Sequence, residues 1–290
     1  MTRAQVAAIA AVALLLSSCG SRVRNWPSDS ATPAPNDEVA VRTTLADMAA
    51  TETTTAANSG KTSKTNTSST MGTVVTAAEI PAPPDGTYTY DVVTDFPAFE
   101  DEPAETFRSA TRVTWRSTRA AGVVSSEARQ ADVEDDSSAA TSSYRTTSAS
   151  HELLKTSYSD DEGEATCAYS PPQVLMQLPL RVGAKWHSDS TCKDGDYVEG
   201  FALDGEVVSS TNDTVGGKTV KTFVIKFVEK YTETDTTDPD PENVFSSRIE
   251  RTTHIDPTTL LIVSDEERNV EDEYVFTTRR SLRSIEPRSA

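Results

Sequence analysis

The hydrophobic pattern of this chain changes its period near residue 86. From there onwards apolar and polar residues alternate in short runs, which predicts β-strands with one buried and one solvated face. Tyr88, Tyr90 and Val92 share one side of the first run, and Val113 and Trp115 share one side of the next. The polar positions are rich in Ser and Thr. This pattern is typical of antiparallel sheets that have one wet face.

The strongest predicted strand extends from Val220 to Tyr231. Phe223, Ile225 and Phe227 lie on one side of it if the period of two holds throughout. Residues 215–218, with the sequence Val-Gly-Gly-Lys, come just before this strand and predict a hairpin turn. We therefore expect the strand to pair with the preceding run over residues 205–210.

Further alternating runs complete a predicted antiparallel meander of about ten strands and roughly 200 residues. Only one segment, Pro172 to Leu178, has the spacing of a short helix. The predicted fold is therefore mainly β, a curved antiparallel sheet or half-barrel with little helix. A strongly curved sheet of this kind either closes into a barrel or wraps around something. The other runs cover residues 122–131, 141–147, 152–158, 244–255, 260–265 and 273–285.

The chain begins with a different pattern. After a weakly basic start that contains Arg3, every residue from Val6 to Leu16 is apolar, and Ser17, Ser18 and Cys19 follow. This is the organisation of a secretory signal peptide, which we assign to residues 1–18. The apolar run is shorter than the roughly 20 residues that a membrane-spanning helix needs.

The tetrapeptide Leu16-Ser17-Ser18-Cys19 resembles the lipobox of bacterial lipoproteins. The resemblance implies that Cys19 becomes the first residue of the mature chain and carries a diacylglycerol on its sulfur. Its amino group would be a second acylation site. Two or more acyl chains, palmitate among them, hold a protein stably at a cell membrane, on its extracytoplasmic side. The alternatives are an ordinary cleaved leader with an incidental cysteine, or an uncleaved membrane segment.

A Ser/Thr-rich segment follows, and we assign residues 19–82 as a lipidated, disordered tether. Between Val41 and Thr76, 16 of 36 residues are Ser or Thr, and no Phe, Tyr or Trp occurs from Pro27 to Thr87. Such a segment cannot bury enough apolar surface to offset the entropy of ordering it. The β domain then covers residues 83–290.

Charge and cysteine content narrow the choice of partners. The chain has 45 acidic residues against 27 Lys and Arg, a net charge of −18, which argues against binding to nucleic acid. If Cys19 carries lipid, Cys167 and Cys192 remain as one pair. Outside the cytoplasm such a pair is usually a disulfide, and we predict one here. The alternative is two free buried thiols.

Two segments of the domain are similar to parts of bacterial envelope proteins that have a curved half-barrel sheet, such as lipoprotein carriers and related domains of unknown function. The first is residues 178–186 (LPLRVGAKW), and the second is residues 253–262 (THIDPTTLLI). Thr259 stands where the second pattern usually has a glycine. The resemblance implies a concave apolar face that holds an acyl chain or another hydrophobic ligand. The alternative is that the same residues fill a closed core.

The sequence contains no recognisable catalytic, cofactor or metal site. His151, His187 and His254 are not in a zinc-protease motif, and no nucleophile elbow of a serine hydrolase is present. The acidic run 235–242 lacks the spacing of a calcium loop. We therefore expect a non-enzymatic lipoprotein without a cofactor, whose β domain binds a hydrophobic ligand or an envelope protein. The alternatives are an interaction module with a filled core, and an enzyme with an unrecognised site.

Overall fold

The computed structural model describes residues 80–98, 103–134, 137–160, 163–237, 244–271 and 274–288. The proposed signal peptide, Cys19 and nearly all of the proposed tether lie outside these residues. Within the described ranges the chain is all β and contains no helix. Accordingly, no helix in this part of the chain is long and apolar enough to cross a membrane.

Twelve strands follow one another along the chain. They are β1 (Gly86–Phe96), β2 (Glu105–Ala120), β3 (Val123–Asp132), β4 (Ala139–Thr146), β5 (Ser150–Asp160), β6 (Gly163–Gln177), β7 (Lys185–Asp194), β8 (Tyr197–Val215), β9 (Lys218–Asp235), β10 (Val244–Ile255), β11 (Ile262–Glu271) and β12 (Tyr274–Leu282).

Every strand pairs antiparallel with its neighbour in sequence, and β12 returns to pair with β1. The closing seam runs from Tyr90 opposite Leu282 to Asp95 opposite Thr277. The prediction of an all-β antiparallel meander is thus confirmed. The antiparallel sheet is curved, as expected, but it is a closed barrel and not a half-barrel, because pairing of the first and last strands removes both sheet edges.

The predicted short helix at Pro172 to Leu178 is also wrong, because these residues fall in and just after β6. Strand β5 pairs with this part of β6 through two register shifts, one of which lies between His151 and Glu152. Such irregularities interrupt the simple alternation of the sequence. They explain why the spacing of apolar residues here resembled that of a helix.

Most of the buried apolar side chains form two clusters. The larger cluster draws on most strands and includes Tyr90, Tyr144, Phe201 and Tyr231. The smaller lies at one end, where β6 and β10 finish and β7 and β11 begin; its members are Met176, Leu180, Trp186, Val207, Ile225, Ile255 and Leu260. The interior is therefore a packed core that contributes apolar burial to stability.

The β8–β9 hairpin extends beyond its neighbours. Pairing with β10 stops at Phe223, which faces Ile255, so the hairpin continues as two strands to its tip at Gly216 and Gly217. Both tip glycines have positive φ, +56° and +78°, as the turn prediction requires. A Cβ at Gly216 would lie 3.1 Å from the carbonyl oxygen of Arg283, so the tip lies against the segment after β12.

Residues 80–85 pack against β2 and β3. Ile80 and Ala82 are buried together with Val124, although the sequence analysis placed both at the end of the tether. Arg119 donates a hydrogen bond from Nη1 to the Ile80 carbonyl at 2.7 Å. The backbone N–H of Ser117 donates to the Asp85 carboxylate at 2.7 Å.

Candidate functional site

Cys167 on β6 and Cys192 on β7 form a disulfide, with their Cα atoms 5.4 Å apart. The pairing expected from the sequence is therefore present in the structure. Both residues are buried in the larger apolar cluster. Strands β6 and β7 share only one backbone register pair, Ser170 with Thr191. The covalent bond therefore reinforces the place where the hydrogen-bonded wall of the barrel is thinnest.

The smaller apolar cluster contains Leu180, Trp186, Ile255 and Leu260, which come from the two segments whose resemblance implied a concave apolar face. Ile225 is fully buried, and Phe223 and Phe227 pack against the same cluster. The Phe227 ring lies edge-on to Trp186, with centroids 5.9 Å apart. These side chains contact one another and form core. They line neither the groove near Trp115 nor the groove beside Arg279 and Arg280.

A network of charged side chains lies inside the barrel wall formed by β9 to β12. Arg280 donates to Asp265 through Nε at 2.9 Å and also through Nη2, and both side chains are buried. A second pair joins β10 to β11, two residues after Asp265. There Arg251 donates to Oε2 of Glu267 through Nε at 2.9 Å and Nη2 at 2.7 Å. These two-pronged pairs meet the requirement that buried charges be paired and hydrogen-bonded.

Glu229 on β9 adds a fifth ionisable group to this wall. It is 5% exposed, and its Oε1 has no hydrogen-bond partner among the described residues. Burial raises the pKa of Glu229 to about 8; nearby Arg251 opposes the shift and Glu267 adds to it. Protonated at neutral pH, Glu229 leaves two carboxylates facing two guanidinium groups, so the buried charges balance.

His151 on β5 is a second buried titratable group. Its ring stacks on Tyr144 with centroids 5.1 Å apart, and its Nδ1 is 2.8 Å from the Thr146 hydroxyl. Burial lowers the pKa of His151 to about 4, with Glu152 opposing the shift. The ring is therefore neutral at physiological pH and forms part of the packed interior.

A groove of about 660 Å³ lies where β1 begins and β2, β3 and β4 lie side by side. We call it the Trp115 groove. The residues that line it include Trp115 and Tyr144, whose side chains pack with the larger apolar cluster, together with serines, threonines and charged residues. The two rings lie 5.3 Å apart. Its volume falls in the range of about 300–1,000 Å³ that is usual for small-molecule sites.

Several polar groups of the Trp115 groove are not used by the fold. Trp115 Nε1 is buried and has no hydrogen-bond partner in the described part of the chain. Arg116 and Glu127 face each other across β2 and β3. Neither their side chains nor the hydroxyls of Ser125 and Ser143 form a hydrogen bond or ion pair with another described residue.

Sequence reasoning did not identify either the charged wall or the Trp115 groove. The sequence analysis gave no role to Glu229, Asp265 or Glu267, because carboxylates are almost never fully buried unless they are paired, and the apolar pattern does not show such pairing. Trp115 was assigned to a strand face and to nothing else.

Comparison with known proteins gives little further guidance. No known family and no curated protein matches the chain. One similar solved structure is a protein from Bacteroides fragilis described as exported, with a YmcC-like fold: 8% identical, covering 71% of this chain and 97% of that one, with a TM-score of 0.41. Another is the hypothetical lipoprotein YmcC from Escherichia coli (K12): 12% identical, covering 70% and 86%, with a TM-score of 0.33.

Proposed function

We propose that this protein is a non-enzymatic, extracytoplasmic lipoprotein, held at the cell membrane by lipid on Cys19, whose β-barrel binds an envelope component through its outer surface. The observation that carries the anchoring is the apolar run that ends on Leu16-Ser17-Ser18-Cys19. The Cys167–Cys192 disulfide supports an oxidising location. Because the net charge of −18 repels the chain from an anionic membrane, the lipid anchor supplies the attraction that holds the protein there.

Recognition through the outside of the barrel is supported by the packing of its inside. Tyr88, Ile225 and Gln173 are each less than 2% exposed, and they come from three separate strands. A ligand that entered the barrel would have to displace such side chains and the paired charges of β9 to β12. His151 and Glu229, two buried groups with strongly shifted pKa values, line neither the Trp115 groove nor the smaller groove beside Arg279 and Arg280. This arrangement favours a binding role over catalysis.

The anchoring is tested by expressing the full-length chain and its Cys19→Ser variant in a bacterial host and fractionating the cells. We expect the unaltered chain in the membrane fraction, labelled by a palmitate analogue, and the variant unlabelled and released from membranes. Ser21→Ala is the matched control, because it changes a neighbouring residue and leaves the lipobox intact. A Cys19→Ser protein that stays in the membrane fraction would contradict the lipid anchor.

A hydrophobic-ligand carrier is the second candidate, and the apolar end around Trp186 is where its ligand would enter. Mass spectrometry of an organic extract separates the two candidates. The full chain is treated to remove the anchor's acyl chains, purified without detergent and extracted. A lipid recovered at about one molecule per protein would favour a carrier, whereas an empty extract favours recognition at the surface.

A further inference from the structure

We propose that the outer face of β2 and β3 binds a linear polyanion of the envelope. The inference rests on the proposed function, since it takes recognition to occur on the outer surface of the barrel, and it adds the strands and the chemical class of the ligand. The surface consists of Arg108, Arg112 and Arg116 on β2 and Arg129 on β3, and we call it the arginine stripe.

The composition of β2 creates most of the arginine stripe. The strand contains four arginines and one acidic residue, although acidic residues outnumber Lys and Arg by 45 to 27 in the whole chain. Arg108, Arg112 and Arg116 are separated by even numbers of residues, so their side chains project from the same face of the strand. That face is the outer one, because Thr111 and Val113, at the alternate positions, are buried.

Arg129 lies between two of the arginines of β2. It faces Thr114 in the register of β2 and β3, so it is diagonally opposite both Arg112 and Arg116. Consecutive arginines of the stripe on β2 are about 13 Å apart along the strand, and diagonal neighbours on paired strands are about 7–8 Å apart. The stripe therefore presents positive charges at successive positions along one line, which fits a polymer that carries an anionic group in each repeat.

Three of the four guanidinium groups are available to a ligand. Arg108, Arg116 and Arg129 are exposed, and none of them forms a hydrogen bond or ion pair with another described residue. Arg112 is half-buried, and its Nη2 donates to the carbonyl oxygen of Asp132 at 3.3 Å. Five arginines elsewhere on the barrel are already in ion pairs with carboxylates, namely Arg145, Arg248, Arg268, Arg279 and Arg283.

The geometry of the guanidinium group defines the anions that fit. It forms two parallel hydrogen bonds to a phosphate or to a carboxylate, so either group can bind to an arginine of the stripe. The shared chemistry of the ligand is therefore a chain of repeated oxyanions.

The carboxylates beside the stripe favour a polymer over a membrane surface. Glu127 faces Arg116 across β2 and β3, and Asp91 and Asp95 lie on β1 next to the other end of the stripe. A planar anionic bilayer pressed against this wall would meet these carboxylates as well as the arginines. A single polymer strand can follow the arginines along β2 and avoid the carboxylates.

The net charge of −18 opposes binding mainly at long range. The Debye length is about 8 Å at physiological ionic strength, so a bound polymer experiences chiefly the arginines that it contacts. The affinity should therefore fall as the salt concentration rises, with a slope set by the number of arginines that the polymer contacts.

Isothermal titration calorimetry on the full-length lipoprotein in non-ionic detergent tests the proposal. The probes are sodium polyphosphate and oligogalacturonate, which carry a phosphate and a carboxylate group in each repeat and so distinguish the two anions. We expect at least one of them to bind at about 50 mM salt and to bind less tightly at about 200 mM. The triple variant Arg108→Gln/Arg116→Gln/Arg129→Gln should weaken that binding by about tenfold or more and lower its salt dependence.

The matched control is Lys193→Gln/Lys226→Gln/Lys230→Gln, which removes three positive charges from exposed positions on β7 and β9. It should leave the affinity unchanged, and circular dichroism checks that each variant is folded. The proposal is overturned if neither polymer binds at concentrations up to about 1 mM, or if the two triple variants weaken binding equally.

The membrane alternative is tested with the Cys19→Ser chain, which cannot carry lipid on residue 19. We expect no more of it to sediment with vesicles of phosphatidylglycerol than with vesicles of neutral phosphatidylcholine. Sedimentation with phosphatidylglycerol that the arginine triple variant abolishes would overturn the polymer in favour of a membrane surface. Because the anchor is tested separately by fractionation, each of these results leaves the lipoprotein assignment standing.

Discussion

Ile225 and Glu229 lie four residues apart on β9, and both are buried, but their surroundings are opposite in character. Ile225 is fully buried among Trp186, Val207 and other apolar side chains. Glu229, 5% exposed, lies in the wall that holds two Arg–carboxylate pairs. One end of the barrel is thus stabilised by apolar burial, and the adjoining wall depends on each charge keeping its partner. The comparison shows that the same strand can build both kinds of core.

The largest effect should come from breaking a charge pair on the β9–β12 wall. Arg280→Met removes the partner of Asp265 and leaves that carboxylate buried and unpaired, so we expect a loss of about 3–5 kcal/mol in the free energy of unfolding. Urea denaturation followed by circular dichroism measures it.

The control for this change is the double variant Arg280→Met/Asp265→Leu, which removes both charges. It should recover much of the lost stability, since no unpaired charge remains. If the single and double variants lose equal free energy, the ion pair is not the source of the loss.

At the apolar end, Ile225→Ala should cost about 2–5 kcal/mol by leaving a cavity among Trp186 and Val207. Ile225→Val is the graded control and should cost only about 1 kcal/mol. The free energy of unfolding lost in Ile225→Ala should not depend on pH between 5 and 9, because the substitution creates and exposes no titratable group. Substitutions in the charged wall should differ in this respect. A marked pH dependence in the Ile225→Ala loss would show that the two regions are coupled.

The fold was largely predictable and the character of its interior was not. Alternation along Tyr88, Tyr90 and Val92, together with the turn at Gly216 and Gly217, is a local property, so the antiparallel meander follows from it. Closure depends on β12 meeting β1, some 190 residues away, and no local pattern reports that. The buried charges were missed for the same reason: Arg280 reads as a solvated position until Asp265 is placed beside it.

His151 and Glu229, two buried groups with shifted pKa values, should give stability opposite dependences on pH. His151 keeps a neutral ring in the fold down to a pKa of about 4, whereas the unfolded chain takes up that proton near 6.5. Stability should therefore fall as pH decreases from about 6.5 towards 4. His151→Gln should flatten this dependence, most clearly between pH 6.5 and 5, before most carboxylates titrate. Urea midpoints measured across this range provide the check, and an unchanged slope in the variant would rule out His151 as its source.

Glu229 should act in the other direction. The folded chain holds its proton up to a pKa of about 8, while the unfolded chain releases it near 4.5, so stability should fall as pH rises between these values. Glu229→Gln cannot ionise, so its stability relative to the unaltered protein should rise by about 4 kcal/mol between pH 5 and pH 9. Glu233→Gln is the matched control, since Glu233 lies on the same strand and is only partly buried. If Glu229→Gln and Glu233→Gln change the pH dependence equally, the wall does not hold the proton. If only Glu229→Gln raises the free energy of unfolding at alkaline pH, then the buried wall, and not the apolar end, limits stability there.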